Sequence, residues 1–238
     1  MAVAGCHHDI ADIDGVFSGG EPRAVHCAMD LDSRTDTDLD SIDSGLDRAF
    51  DRGEIVELYA HNPGVTLPLD TLEHVLAGAQ QRHLHFITYD DFARGDVAGP
   101  GLALSFDDTS IQDWVNVLPM LEQYGARVTF FVSRYIALED SEHALIHQLA
   151  DAGHAIEAHT VLHLHAPEYV TQHGLDAYIA DEVVPSIDIL RGDGYDVQAF
   201  AYPFGSRTDE IDQAILKYVP VLRSVSYAWS PVESPCPH

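Results

Sequence analysis

Two adjacent carboxylates close an apolar run at Leu102-Ala103-Leu104-Ser105-Phe106-Asp107-Asp108. Side chains alternate between faces along a strand. Acids at the strand's exit escape that constraint, and both can turn toward one pocket. Like charges that close repel, and one pKa rises unless a cation lies between them. A plainer reading is that Asp108 caps a helix expected to start near Ile111. A second candidate follows in Gly153-His154-Ala155-Ile156-Glu157-Ala158-His159-Thr160-Val161-Leu162-His163. His159 and His163 are four apart and would share one face of a helical turn. Two imidazoles and one carboxylate make a three-ligand divalent-metal site with a position open for water or substrate. The chain has 15 histidines, so the pair alone is a weak sign. Its weight comes from the combination, because each group follows an apolar, strand-like run.

The elements around these groups alternate. Strands are expected at Ala24–Met29, Ile55–His61, His85–Tyr89, the Asp107-Asp108 run, Arg127–Ser133, Ala155–Ala158, Ala199–Tyr202 and Val221–Trp229. Helices are expected around Ile42, Leu46, Ala49 and Phe50, with Gly53 as the stop, and over Leu69–Arg82, Ile111–Tyr124, Ser141–Ala152, Leu175–Leu190 with a kink at Pro185, and Glu210–Tyr218. At roughly thirty residues per strand–helix pair, this pattern argues for parallel strands joined by crossover helices. The fold class is therefore α/β, a distorted (β/α) barrel of seven or eight strands. His61 ends its strand, just before the turn signal Asn62-Pro63-Gly64. Such strand ends are where α/β barrels place reactive groups. The acidic stretch from Asp30 to Asp43 reads either as a solvated loop or as a source of one acid for the site rim.

The length of 238 residues suits one domain. Residues 1–23 read as a tail or loop, and 24–238 as the folded unit. Acidic residues number 39 against 12 basic, a formal charge of −27. Nucleic acid needs a basic footprint and is excluded as a partner. The surplus suits a salty medium, where screening relieves self-repulsion. No run is long and apolar enough to span a membrane. Val3-Ala4-Gly5-Cys6 resembles a bacterial lipobox, in which the cysteine is lipidated, against the alternative of a chance run of small residues. If Cys6 carries a lipid, Cys27 and Cys236 remain as a candidate disulfide pair. The chain is expected to be an extracytoplasmic monomer, in the cell envelope or secreted.

Three segments together resemble one family. Ser105-Phe106-Asp107-Asp108 is similar to the Thr-Phe-Asp-Asp motif of polysaccharide deacetylases, carbohydrate esterases with a NodB-type domain. His159-Thr160-Val161-Leu162-His163 matches their His-Ser/Thr-x-x-His motif. Ala201-Tyr202-Pro203-Phe204-Gly205 resembles their Arg-x-Pro-Tyr motif, with Ala201 in place of the arginine. Val128-Thr129-Phe130-Phe131-Val132 and Gly153-His154 also read like the family. Family members carry a catalytic histidine in a later Leu-x-His segment. Nothing after the third motif here supplies one, while residues 54–89 look like that missing part, with His61 as the histidine. The resemblance therefore implies a circularly permuted domain, an order similar to some biofilm poly-N-acetylglucosamine deacetylases.

The resemblance implies hydrolysis of N-acetyl groups on a sugar polymer. Asp108, His159 and His163 would hold the metal, expected to be zinc. Asp107 would be the general base, and His61 the acid for the leaving amine. The backbone N–H of Phe204 would help hold the oxyanion. Loss of the motif arginine at Ala201 leaves the base without its usual partner; Arg207 and Arg223 are nearest in sequence, and neither can be placed. Tyr202 and Phe204 are candidate sugar-stacking rim aromatics, with inward packing equally open for Tyr202. Trp114 is expected to pack its helix, and His154 and His165 to be bystanders. Two other readings keep the fold: a glycan-binding lipoprotein with a decayed site, and an amidohydrolase acting on a small molecule.

Overall fold

The computed structural model describes residues 9–19, 22–35, 37–95, 97, 99–227 and 231–237. Its strands are β1 (Phe17–Ser18), β2 (Val25–Asp30), β3 (Ile55–Ala60), β4 (His85–Phe86), β5 (Gly101–Asp108), β6 (Thr129–Val132), β7 (Ala155–Ala158), β8 (Ala199–Ala201) and β9 (Val221–Val225). The helices are α1 (Leu39–Arg52), α2 (Leu69–Gln81), α3 (Tyr89–Arg94), α4 (Ile111–Asn116), α5 (Leu118–Gln123), α6 (Asp140–Asp151), α7 (Ala166–His173), α8 (Leu175–Tyr178), α9 (Val184–Gly192) and α10 (Asp209–Ile215). Seven strands run parallel and close into a barrel in the order β3-β2-β9-β8-β7-β6-β5, with β5 returning to β3. β4 adds to the start of β5, and β1 runs antiparallel to the start of β3.

The strand period divides the core. On β5, Leu102, Leu104 and Phe106 pack outward into the main apolar cluster under the helices. Ala103, Ser105 and Asp107 alternate with them and face the barrel interior. That interior carries unusual polarity for buried strands: Glu57, Ser105, Asp107, Glu157 and Arg223 are all buried. Helix ends follow local chemistry. Gly53 closes α1 in the left-handed region at φ 67°, and Asp38 caps its start by accepting from the Ser41 N–H.

Several expectations change. Residues up to 23 are not all tail. Ile10, Val16 and Phe17 are buried against α1 and β3, because without them Val56 and Leu46 would face water. Phe50 lies on the exposed side of α1. The Ile111–Tyr124 helix is broken into α4 and α5 at Val117, ahead of Pro119. α3 and α7, short helices without a strong apolar stripe, escaped the reading. The last strand stops at Val225, and Trp229 and Cys6 lie outside the described residues. Cys27 and Cys236 are disulfide-bonded across a sequence separation of 209. No described helix is long and apolar enough to cross a membrane.

Candidate active site

The expected site residues meet at the C-terminal mouth of the barrel. They line a cavity of about 250 Å³ that includes His61, Asp107, Asp108, His159, His163, Phe204 and Arg223. Backbone strain concentrates there. Six described non-glycine residues have positive φ, and five of them (Asp108, Arg134, Thr160, His163 and Phe204) follow barrel strands at this end.

Asp107 and Asp108 should point to opposite faces of β5. Asp108 departs from the strand conformation at φ 85°, and that departure swings its carboxylate to the same side as Asp107. The two acids then acquire different partners. Asp107 is buried, and its Oδ2 accepts a hydrogen bond from Arg223 Nη2. Its Oδ1 is buried with no hydrogen-bond partner among the described residues. Asp108 Oδ1 lies 3.0 Å from His163 Nε2 and 3.6 Å from His159 Nε2. Burial works against the Asp108 carboxylate, yet the two imidazoles hold it well below the usual carboxylate range.

His159 and His163 are brought together as expected, but not by a helix. The segment after β7 is a loop with Thr160 and His163 at φ 68° and 61°. The helical spacing rule was the wrong reason for a correct juxtaposition: a glycine-free loop doubled back through two left-handed residues achieves the same closeness. The His159 ring is fixed by its Nδ1, which donates to the Ala201 carbonyl at 2.9 Å. That leaves the Nε2 lone pair directed at the site.

These residues fit a divalent metal. The ligand atoms of Asp108, His159 and His163 all lie within 4.8 Å of one another. Asp108 Oδ1 is buried and close to two imidazole nitrogens, yet makes no hydrogen bond with acceptable geometry. A carboxylate oxygen and two imidazole nitrogens converging on one point are a donor set that a divalent cation would satisfy.

His61 sits immediately after β3, and Trp114 Nε1 donates to its carbonyl at 2.8 Å. Its Nδ1 lies 2.6 Å from Asp32 Oδ2. Asp32 is buried and also accepts from the His61 N–H and, at 2.8 Å, from the Thr66 hydroxyl. Burial alone would lower the His61 pKa; the Asp32 bond and the Asp107 charge more than offset it, and the net shift is upward. Asp30 is buried beside Asp32, and Arg34 bridges Asp30 and Asp32 at the rim. The acidic stretch thus supplies acids to the site rather than forming only a solvated loop. Asp32 was missed as an individual because nothing in an acidic run marks which carboxylate turns inward.

The other open choices resolve as follows. Arg223 reaches Asp107, whereas Arg207 pairs with Asp212 away from the site. Tyr202 is buried and donates to Asp212, so it packs inward. Phe204 is partly exposed, with its ring stacked on His165 at 3.8 Å between centroids. It occupies the tight turn Pro203–Gly205. Gly205 is required there: it has φ 66°, and a Cβ would come within 2.3 Å of the Val225 side chain. His154 accepts from the Val128 N–H in the core, far from any ligand role.

Comparison with known proteins bears on the family and the fold. The polysaccharide deacetylase family model matches residues 94–219, more than half of the chain, and the chain belongs to that family. The structure resembles the deacetylase PplD of Streptococcus pyogenes, solved with acetate, at 20% identity and TM-score 0.56 over 74% of this chain and 92% of that one. It also resembles IcaB from Ammonifex degensii (17% identity, TM-score 0.59, 76% of this chain and 86% of that one). A third likeness is to the putative polysaccharide deacetylase BA0330 of Bacillus anthracis (20% identity, TM-score 0.54, 64% and 48%). At these identities the structural likenesses speak for the fold. No curated protein sequence matches the chain significantly.

Proposed function

We propose that the protein is a metal-dependent deacetylase that hydrolyses N-acetyl groups on a sugar polymer. One observation carries this reading. A three-ligand metal cradle, a carboxylate pinned by an arginine and a carboxylate-held histidine converge on one cavity at the barrel mouth.

Asp108, His159 and His163 would hold the ion, expected to be zinc. Bound there, such an ion lowers the pKa of a water and polarises an acyl carbonyl. Asp107 takes the proton of the attacking water on Oδ1, the oxygen that Arg223 leaves uncommitted. Arg223 holds the other oxygen, Oδ2, and so aims that carboxylate. His61, protonated and oriented by Asp32, delivers a proton to the departing amine, which is a poor leaving group without it. The Phe204 N–H helps stabilise the oxyanion, a contribution typically worth roughly 3–4 kcal/mol. An N-acetyl group makes the greater demand on such an acid, because an amine leaves only with a proton whereas an alkoxide is the better leaving group.

The family match begins at residue 94, after the strand that delivers His61. In the closed barrel that strand is the immediate neighbour of β5. Both facts support a circular permutation, since moving the chain break in a closed barrel preserves the sheet. The buried disulfide supports an oxidising, extracytoplasmic location. The decayed-site reading rested on Ala201, and Arg223 supplies the cation that Ala201 lacks.

The test is acetate release from N-acetylated chito-oligosaccharides, with and without chelator. Chelator-sensitive release supports the reading. No release from a metal-loaded protein, on these or on acetylated small amides, rejects it.

A further inference from the structure

The loop that joins the two histidines is tied to the outer helical layer by a single buried acid, Glu182. This residue is 1% exposed. Its Oε2 accepts a 2.8 Å hydrogen bond from the N–H of Leu162, which lies between His159 and His163 in sequence. Glu182 belongs to a five-residue π-helical turn, Ile179–Val183, inserted between α8 and α9. The turn has a sequence cause. Pro185 has no N–H to bond the preceding turn and its ring crowds the backbone there, so the chain widens just ahead of it. In an uninterrupted α-helix, the residues on either side of the inserted position would be rotated by about a quarter turn relative to their present directions.

The two histidines are held differently. His159 has its Nδ1 bond to the Ala201 carbonyl. The His163 ring has no such bond to a backbone carbonyl among the described residues. The ring meets the Asp108 carboxylate and the Phe204 ring, and the backbone sets its approach. His163 is left-handed at φ 61°, its N–H donates to Thr160 Oγ1 at 2.9 Å, and Thr160 is itself left-handed at φ 68°. A segment with two left-handed non-glycine residues persists only where its surroundings over-determine it. Within that segment, the Leu162–Glu182 bond is the tie to the outer helical layer; on the barrel side the Arg134 N–H donates to the Thr160 carbonyl at 3.2 Å.

We propose that Glu182, aimed by the π-turn, is a positioning residue that holds the His159–His163 loop in its metal-ready conformation. The inference rests on the metal site assigned above. Glu182 touches neither ion nor substrate. Its role is to keep His163 within reach of the ion that Asp108 and His159 share. Removing such outer partners typically lowers metal affinity by about 10–100-fold.

The test is calorimetric zinc titration of the metal-free full chain, with thermal melts of the same metal-free samples. Glu182→Met keeps the volume and removes the acceptor; Glu182→Gln keeps one acceptor oxygen. Glu182→Met is expected to weaken zinc binding by about 10–100-fold, and Glu182→Gln to stay within a few-fold of wild type. Glu182→Leu, which also removes the acceptor, serves if Glu182→Met does not fold and carries the same expectation. Wild-type affinity in a folded Glu182→Met overturns the proposal. So does an equal loss in Glu182→Met and Glu182→Gln, which would assign the effect to charge. Failure of the wild-type chain to bind zinc or another divalent ion would instead reject the metal site.

Discussion

Ala201 and Arg223 are register partners on adjacent parallel strands, so the guanidinium that reaches Asp107 starts one strand away from the place where the family motif would put it. The side chain is wholly buried and lies over the rings of Tyr59 and Phe131, with 4.9 and 5.0 Å to their centroids. Burial would lower its pKa, but the Asp107 charge more than compensates and the guanidinium stays charged.

The arrangement predicts a specific rescue. Arg223→Ala leaves Asp107 buried without its cation, which should destabilise the fold by roughly 3–5 kcal/mol. The same change should cut kcat on the order of 100-fold or more, because the base loses its aim. Ala201→Arg placed in the Arg223→Ala background should recover part of both losses. Chemical denaturation and steady-state acetate release measure the two; an Arg223→Ala enzyme with wild-type kcat would reject the role.

The acid limb has a defined sign. The His61 pKa is raised above its ordinary 6.5. A general acid works protonated, so kcat should fall as pH climbs through that raised value. Asp32→Asn removes the strongest raising influence and should move the alkaline limb of the kcat profile downward. The same pair stabilises the fold fully below pH 6.5, and that contribution is lost as pH rises through the folded value. An unmoved limb would show that another group supplies the proton.

Metal and activity should be lost together. Asp108→Ala removes the carboxylate that both imidazoles approach. Elemental analysis is expected to find about one divalent ion per wild-type chain, the stoichiometry of one three-ligand site. Asp108→Ala is expected to hold almost none and to release no acetate. His61→Ala, by contrast, should retain the metal and lose turnover. Full activity after exhaustive chelation would contradict the mechanism.

The disulfide carries a separate expectation. The Cys27–Cys236 bond closes a span of 209 residues. Replacing both cysteines with serine should lower unfolding free energy by roughly 2–5 kcal/mol, read from denaturant midpoints. Metal binding by Asp108, His159 and His163, which lie on β5 and after β7 rather than beside the disulfide, should be unaffected in the folded protein.

Sequence reasoning reached the site where a strand end and a chemically distinctive side chain coincide: His61, Asp107-Asp108 and His159. It reached the barrel because strand and helix periodicities alternate. It missed what depends on pairing between strands. Arg223 and Asp107 are 116 residues apart, and only the register of β9 against β8 brings the arginine under the mouth. Asp32 was hidden among like residues. The packed segment near Ile10 was hidden because short 3₁₀ turns carry no period. The π-turn that aims Glu182 was visible only as a proline.

The pinned carboxylate also has a stereochemical consequence. With Oδ2 committed to Arg223, Asp107 offers its proton acceptor in one fixed direction. An acetyl carbon is planar and has two faces. On the proposed mechanism, every turnover adds water to the same face, chosen by the barrel wall rather than by the sugar. A polymer whose amide is presented in the reverse sense would bind without reacting.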